Sequence, residues 1–489
     1  MQVVMEFLEH NDFVHESRAN ASINELEDLF FAHPKSLEIW RALPHVVLMD
    51  ATYNTNRYKL PLLEIVGVTP TNMTFCIAFV YMHKEKKPNY TWALDCLKSL
   101  MDGCMLPRVI IIDRELALMN AYNSVFPNAK GLLCRWHINN CIMKKCRSSW
   151  CIIYPLWKKL VESTTEETYN ITLAELEQQL AGYPGALLYL NTVWLRPYKE
   201  MFVSIWTDKF LNFGNHTTNK VESQHAKTKR YLDTAQLDIA KSVKRINEVV
   251  NTQYIAIRTS IGNDLISTRH RFTLDKELRT HFRNLCHSVS IYALEIIFKE
   301  YERSKYVRPI VDNCGCHVRA CYGLPCAHEQ AIFLNNARSL PLESVDKFWK
   351  KLNLSPCTPL TDDCTPLTDD NITYEVLQKK IDEKLKSQSR FGNQNIISPS
   401  TTSVGEPSVQ KNTRGRPSLK NTIFRKTKID LNQNPQAEDP PNQDPPSQNP
   451  RRSSISTYTP DCVRSNSFDL NQEPDRHSSC FNHRQPIYY

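Results

Sequence analysis

The sequence predicts a mixed α/β core interrupted by a helical insertion, then a small metal-binding knuckle, then an unstructured tail. Three observations predict it. Five short apolar, β-rich runs fall between residues 46 and 137, with helical spacing between the later ones. Residues 138–215 turn Trp-, Leu- and Glu-rich with helical periodicity. From residue 391 onward, 12 of the 28 prolines crowd into 99 residues among Ser, Asn and Gln. Such a tail buries too little apolar surface to offset its ordering entropy.

Taken in order, residues 1–45 form a lead-in segment. VVLMDATY (46–53), LPLLEIVGVT (60–69) and FCIAFVYM (75–82) read as strands, separated by the turn signals Asn54-Thr-Asn and Pro70-Thr-Asn. YTWALDCLKSLM (90–101) has helical spacing, RVIIIDR (108–114) is a buried strand, and ELALMNAYNSVF (115–126) is a helix stopped by Pro127. AKGLLCRWH (129–137) is the fifth strand. Three strands, then helix–strand–helix–strand, is a layered α/β pattern with a mixed five-stranded sheet. Residues 46–137 are thus the first part of the core, and 138–215 the insertion. Residues 216–285 are the last part of the core with basic helices, broken near Asp233-Thr234. Residues 286–340 hold the knuckle, opened by an amphipathic helix over 288–303. Residues 341–390 are a linker with the heptad CTPLTDD duplicated (357–363, 364–370) and a short helix over Tyr374–Ser387. Residues 391–489 are the tail.

The chain has 489 residues, room for about three domains. No apolar run approaches the ~18 residues of a membrane span, so no membrane partner is expected. The first residues, MQVVMEFLEHNDFVHE, resemble neither a secretory signal nor a transit peptide, so the expectation is a soluble intracellular protein. Sixteen cysteines in so long a chain then read as reduced thiols and metal ligands rather than a disulfide framework. The net charge of +8 is uneven: 17 Lys/Arg face 10 Asp/Glu between Lys220 and Pro309. That surplus fits a polyanion partner or a solvated helical surface.

Two aspartates stand out. Asp50 closes the run Val46–Met49, and Asp113 closes Val109–Ile112. A carboxylate in a buried β run is costly unless charge is paired with it. Two at the ends of strands of one sheet point to convergence on a divalent cation such as Mg²⁺, which takes oxygen ligands. Glu222, in HTTNKVESQHAKTKR, is the candidate third carboxylate, one turn into a helix capped by Thr217 or Thr218. The alternative is two loop-capping aspartates and a first-turn glutamate held by the helix dipole.

VVLMDATYNTNRYKLPLLEIVGVT, IIIDRELALMNAYNSVFPNAKGLLCRWHI and HTTNKVESQHAKTKR together resemble the Mutator-like element (MULE) transposase domain, over roughly residues 20–335. The resemblance implies a ribonuclease H-like fold. It also implies a catalytic Asp–Asp–Glu set, here Asp50, Asp113 and Glu222, holding Mg²⁺ or Mn²⁺. The family's Cys-x-x-His motif falls on Cys134 and His137, either as part of the transposase core near the acidic site or as core packing.

Cys314-Gly-Cys316, then Cys326-Ala-His328 after nine residues, offers four ligands in two close pairs, suited to tetrahedral Zn²⁺. Gly315 permits the tight turn of the first pair. The pattern resembles the SWIM zinc finger, which commonly follows MULE domains; Cys321 and His317 lie inside its loop. In the tail, Arg414 and Arg416 of Arg-Gly-Arg-Pro resemble an AT-hook, whose arginines enter an A·T-rich minor groove. The lysines beside them also suit nuclear import.

The chain further resembles the far-red-impaired-response-related family, transposase-derived plant proteins that act as nuclear transcription regulators. Their N-terminal zinc-binding DNA-recognition domain has no counterpart in residues 1–45, which lack cysteine. Two functions therefore compete: a DNA-cutting and strand-transferring enzyme, and a DNA-binding regulator without catalysis. A protein scaffold acting through the SWIM finger is a third. The expected partners are DNA, contacted by Lys227, Lys229 and Arg230 beside Glu222, and in addition a second copy of the chain. The expected location is the nucleus.

Overall fold

The computed structural model describes residues 1–100, 106–310, 314–355 and 404–409. The heptad duplication, the Tyr374–Ser387 helix and the tail apart from 404–409, with its Arg414 and Arg416, lie outside the described residues.

Strands β1 (Val14–Ala19), β2 (Leu26–Ala32), β3 (Val46–Thr52), β4 (Leu62–Val68), β5 (Thr74–Tyr81), β6 (Val109–Ile112) and β7 (Lys130–Leu133) form one sheet in the order β1-β2-β5-β4-β3-β6-β7. β3, β6 and β7 run parallel, and the other neighbours are antiparallel. The five strands read from sequence are present and contiguous. The sheet is nevertheless seven-stranded, because the segment read as a lead-in adds two strands at its edge. Edge strand β1 (VHESRA) is mostly polar, and β2 (LEDLFFA) sets two acids before its apolar half. Neither alternates, so neither reads as a strand until β2 docks on β5 through Leu29↔Tyr81 and Phe31↔Phe79. Asp28, fully buried in β2, is held by Arg18 and by the Asn89 amide.

Helices α1 (Gln2–His10) and α2 (Pro34–Ala42) belong to the N-terminal segment. Helix α3 (Lys87–Ser99) starts on Pro88, where a missing N–H costs nothing, and packs on α4 (Leu116–Val125). The insertion runs through α5 (Arg135–Lys145), α6 (Trp150–Val161), α7 (Glu166–Gln179), α8 (Pro184–Tyr189), α9 (Arg196–Tyr198) and α10 (Ser204–Thr207). Its core is aromatic, with Trp157 and Trp194 fully enclosed.

Chain order then returns to the sheet. Helix α11 (Asn219–Leu232) lies over β3, β4 and β5, and α12 (Ile239–Ile266) packs on α11 and β5. The break expected at Asp233 is a left-handed residue, φ +63°, that ends α11. Two short helices, α13 (His270–Leu274) and α14 (Lys276–His281), lead to α15 (Ile291–Ser304), capped by the Ser290 hydroxyl. Helix α16 (Ala327–Asn335) packs on α15. Among the described residues no helix is long and apolar enough to cross a membrane.

Candidate metal and carboxylate sites

Register brings the two aspartates together. Parallel pairing aligns Met49 with Ile112, so the next residues, Asp50 and Asp113, stand side by side at the carboxyl ends of β3 and β6. Both are buried, and both line one small cavity with Tyr53, Glu85, Tyr90 and Glu115. Glu85 accepts hydrogen bonds from Tyr53 (2.6 Å) and Tyr90 (3.1 Å). Glu115 caps α4 by accepting from the Ala117 N–H. Four carboxylates around one pocket make it a cation-seeking place. Glu85 and Glu115 carried no motif in the sequence; only their position two residues past Asp113 and just past β5 hints at them.

Glu222 enters from α11, whose inward stripe is Val221, Gln224, His225, Thr228 and Leu232. A carboxylate oxygen of Asp50, one of Glu222 and a ring nitrogen of His137 lie within 4.8 Å of one another. Asp113 is not in that trio; it meets Asp50 from the cavity side. Burial, then the negative charge of Asp113, pushes the Asp50 carboxyl well above the usual carboxylate range. Glu222 is held below its usual range, first by its bond with His137. His225 Nδ1 lies 3.9 Å from Asp50, and burial lowers that imidazole to about 4.

The Cys-x-x-His pair explains the junction. The sequence reading extended the fifth strand through His137, but β7 stops at Leu133 and α5 begins at Arg135 with Cys134 at its N-cap. One helical turn then swings His137 toward Glu222, where Nε2–H donates to Oε1 at 3.2 Å. Thr218 occupies the N-cap of α11 but its hydroxyl caps nothing. Instead its N–H and hydroxyl both donate to Cys134 Sγ at 3.1 Å, and the same hydroxyl oxygen lies 3.2 Å from His137 Nδ1. Burial alone would lower His137, yet its bonds with Cys134 and Glu222 raise it to about 11. Burial pushes the Cys134 thiol up, but His137 and Thr218 together bring it below its ordinary value. Through these contacts the motif ties β7 and α5 to α11.

The knuckle ligands also converge. Cys314 Sγ and Cys326 Sγ are 3.4 Å apart, Cys316 Sγ and His328 Nδ1 3.1 Å, and all four ligand atoms lie within 4.8 Å of one another. No disulfide joins them. Tetrahedral zinc with bonds of about 2.0–2.3 Å needs donor separations of this order. Gly315 sits at φ +63° and Gly323 at φ +67°, where a side chain is strained. At Gly323 a Cβ would also come within 2.7 Å of Asp346 Cβ. The three-cysteine, one-histidine set fits a structural Zn²⁺ site.

Of the basic residues, Lys227 and Arg230 line an open groove of about 570 Å³ with Tyr231, Asp233, Arg245 and Glu248. Lys229 is exposed on the same helix but outside that lining.

Fold and site define a carboxylate-lined α/β core joined to a Cys/His cluster able to hold a metal. Residues 46–141 match the family model described as the MULE transposase domain. The chain is 26% identical over 145 residues to Protein FAR1-RELATED SEQUENCE 5 of Arabidopsis thaliana, covering 30% of this chain and 18% of that protein. Protein FAR-RED IMPAIRED RESPONSE 1 of the same plant is 21% identical over 236 residues, 47% of this chain and 27% of that protein. A PKS-NRPS hybrid synthetase, cheA, of Chaetomium globosum is 23% identical over 348 residues, 62% of this chain and 7% of that protein. The chain thus spans well under a third of these relatives. Among solved structures, the HTLV-2 integrase catalytic core domain in complex with magnesium matches at 15% identity, over 31% of this chain and 89% of that one. The TM-score of 0.14 is too low to bear on the fold.

Proposed function

We propose that the chain is a transposase-derived, DNA-binding protein whose ribonuclease H-like core performs metal-dependent DNA phosphodiester cleavage and strand transfer in the nucleus. The observation that carries this reading is the side-by-side placement of Asp50 and Asp113 on adjacent parallel strands, with Glu222 brought to Asp50 by α11. The contiguous order β5-β4-β3-β6-β7, antiparallel then parallel, supports the ribonuclease H-like assignment.

Asp50, Asp113 and Glu222 are the residues that would hold Mg²⁺ or Mn²⁺, and Asp50 is the group whose burial beside Asp113 most favours such a cation. When bound, a divalent pair supplies a water or 3′-hydroxyl nucleophile and a clamp on the leaving oxygen. His137 orients Glu222 by holding a proton on Nε2 against Oε1. Lys227, Arg230 and Arg245 offer cations to the phosphate backbone along the groove beside α11. The Cys314, Cys316, Cys326 and His328 set holds structural Zn²⁺ and keeps α16 against α15. SWIM-mediated protein contacts and a homo-oligomer complete the proposed partners.

A nuclear transcription regulator without catalysis is the second reading. The His137–Glu222 pair favours it, because it satisfies the third carboxylate with no metal present. One experiment separates the two. Purified full chain is incubated with supercoiled duplex DNA and Mg²⁺ or Mn²⁺, beside Asp50→Asn and Asp113→Asn. Metal-dependent nicking that both variants lose supports the enzyme. Tight DNA binding with no nicking in any protein leaves the regulator.

A further inference from the structure

The structure carries a second cluster of metal-binding donors, separate from both sites above. It draws on two distant stretches: Asp208 and His216, between the insertion and α11, and His317 and Cys321, in the loop between the two ligand pairs of the knuckle. We infer that His216, His317 and Cys321 form a second zinc site, with Asp208 orienting His317, which fastens the knuckle to the α/β core beside the entry to α11.

The donor geometry supports this. A ring nitrogen of His216, one of His317 and the Cys321 sulfur lie within 4.8 Å of one another. Cys321 Sγ is 3.8 Å from His216 Nε2. Zinc bonds of about 2.0–2.3 Å give tetrahedral edges of this length. Asp208 Oδ2 accepts from His317 Nδ1 at 2.6 Å, which leaves Nε2 as the ligating nitrogen. A carboxylate on the far nitrogen is the usual way a metal-bound histidine is oriented.

Burial and charge agree. Asp208 is 7% exposed and Cys321 fully buried. One thiolate and two neutral imidazoles suit Zn²⁺, the Asp208 carboxylate on His317 adds a second negative charge beside them, and the soft sulfur disfavours Mg²⁺. The neighbouring Arg135 guanidinium is engaged by the Phe202 carbonyl and the Ser204 and Thr207 hydroxyls.

The location gives the site its consequence. His216 precedes by two residues the Thr218 that braces Cys134 and His137, and its carbonyl accepts from the Arg135 N–H at 3.1 Å. The Cys321 carbonyl accepts from the Phe213 N–H at 3.0 Å. A metal spanning His216 and Cys321 therefore fixes the loop that aims α11, and with it Glu222.

The test is zinc stoichiometry on the full chain, measured by plasma mass spectrometry after dialysis, with cobalt substitution as a second readout. The parent protein is expected to hold two zinc ions per chain, and His216→Asn and Cys321→Ser one each with the thermal melt still cooperative. The cobalt form of His216→Asn should keep the intense sulfur-to-metal band of a three-cysteine site while losing about half of the d–d absorbance. One zinc per chain in the parent, lost in Cys326→Ser and kept in His216→Asn, reduces the cluster to an Asp–His ion pair beside a free thiol and overturns the proposal. Two zinc ions retained by the His216→Asn, Cys321→Ser double variant overturn it as well.

Discussion

Replacing Glu64 with methionine should make the protein more stable above pH 6 and erase a pH dependence that the parent shows. Glu64 is the single charge in the apolar run of β4, where it pairs in register with Asp50 and is fully buried beneath α11. Neither carboxyl oxygen has a partner in hydrogen-bonding geometry. Burial raises its pKa from 4.5 to about 8, and the nearby Thr228 and Lys229, which act the other way, do not offset it. A folded-state pKa above the unfolded one means that folding favours the protonated acid. Stability is then greatest below pH 4.5, falls as pH rises toward 8, and levels off beyond. Each pH unit inside that window costs about 1.4 kcal/mol, so from pH 5 to pH 8 the parent loses roughly 3 to 4 kcal/mol through this group alone. Methionine nearly conserves volume, and a repacking cost below about 1.5 kcal/mol is the same at every pH. Urea unfolding of Glu64→Met and parent at pH 5, 6, 7 and 8 reads the difference directly. A variant-minus-parent stability that does not change between pH 5 and pH 8 would refute the argument that a neutral, unbonded carboxyl sits there.

Two further outcomes are expected. Neutralising Lys227, Lys229 and Arg230 together should weaken duplex DNA binding several-fold and flatten the logarithmic salt slope by about one unit per lost phosphate contact. Lys229 lies outside the groove, so restoring it alone should recover less affinity than restoring Arg230; titration by fluorescence anisotropy at several salt concentrations decides this. In the full chain, Cys326→Ala should abolish the three-sulfur cobalt band, and an unchanged band would remove Cys326 from the ligand set.

Much of the site was legible because its signals are local. Apolar runs ending in Asp50 and Asp113 announce strand-terminal carboxylates, since a buried strand admits such a charge only where it meets something. The spacing of Cys314, Cys316, Cys326 and His328 marks a candidate ligand set without a fold, because four soft or borderline donors in two close pairs suit a tetrahedral ion. Strands β1 and β2 were not legible. β1 and β2 take their extended form from docking on β5, and sheet propensity depends on such context. The role of Thr218 was also misread. Its sequence suggests a cap, but tertiary packing sets Cys134 against it, and the sulfur takes both donors.

What the sequence by itself determined is therefore the order of elements, the identity of the candidate ligands and the uneven charge. Those depend on residue type and spacing along the chain. What only the tertiary structure decided is which distant groups meet. His137 reaches Glu222 because β7 ends one turn early, and Glu85 and Glu115 join the two aspartates because β3 and β6 align in register. Asp208 and His216 meet His317 and Cys321 because the knuckle folds back onto the loop before α11. Contacts of that kind, a hundred residues apart, are fixed by packing of the whole core and leave no period in the sequence to read.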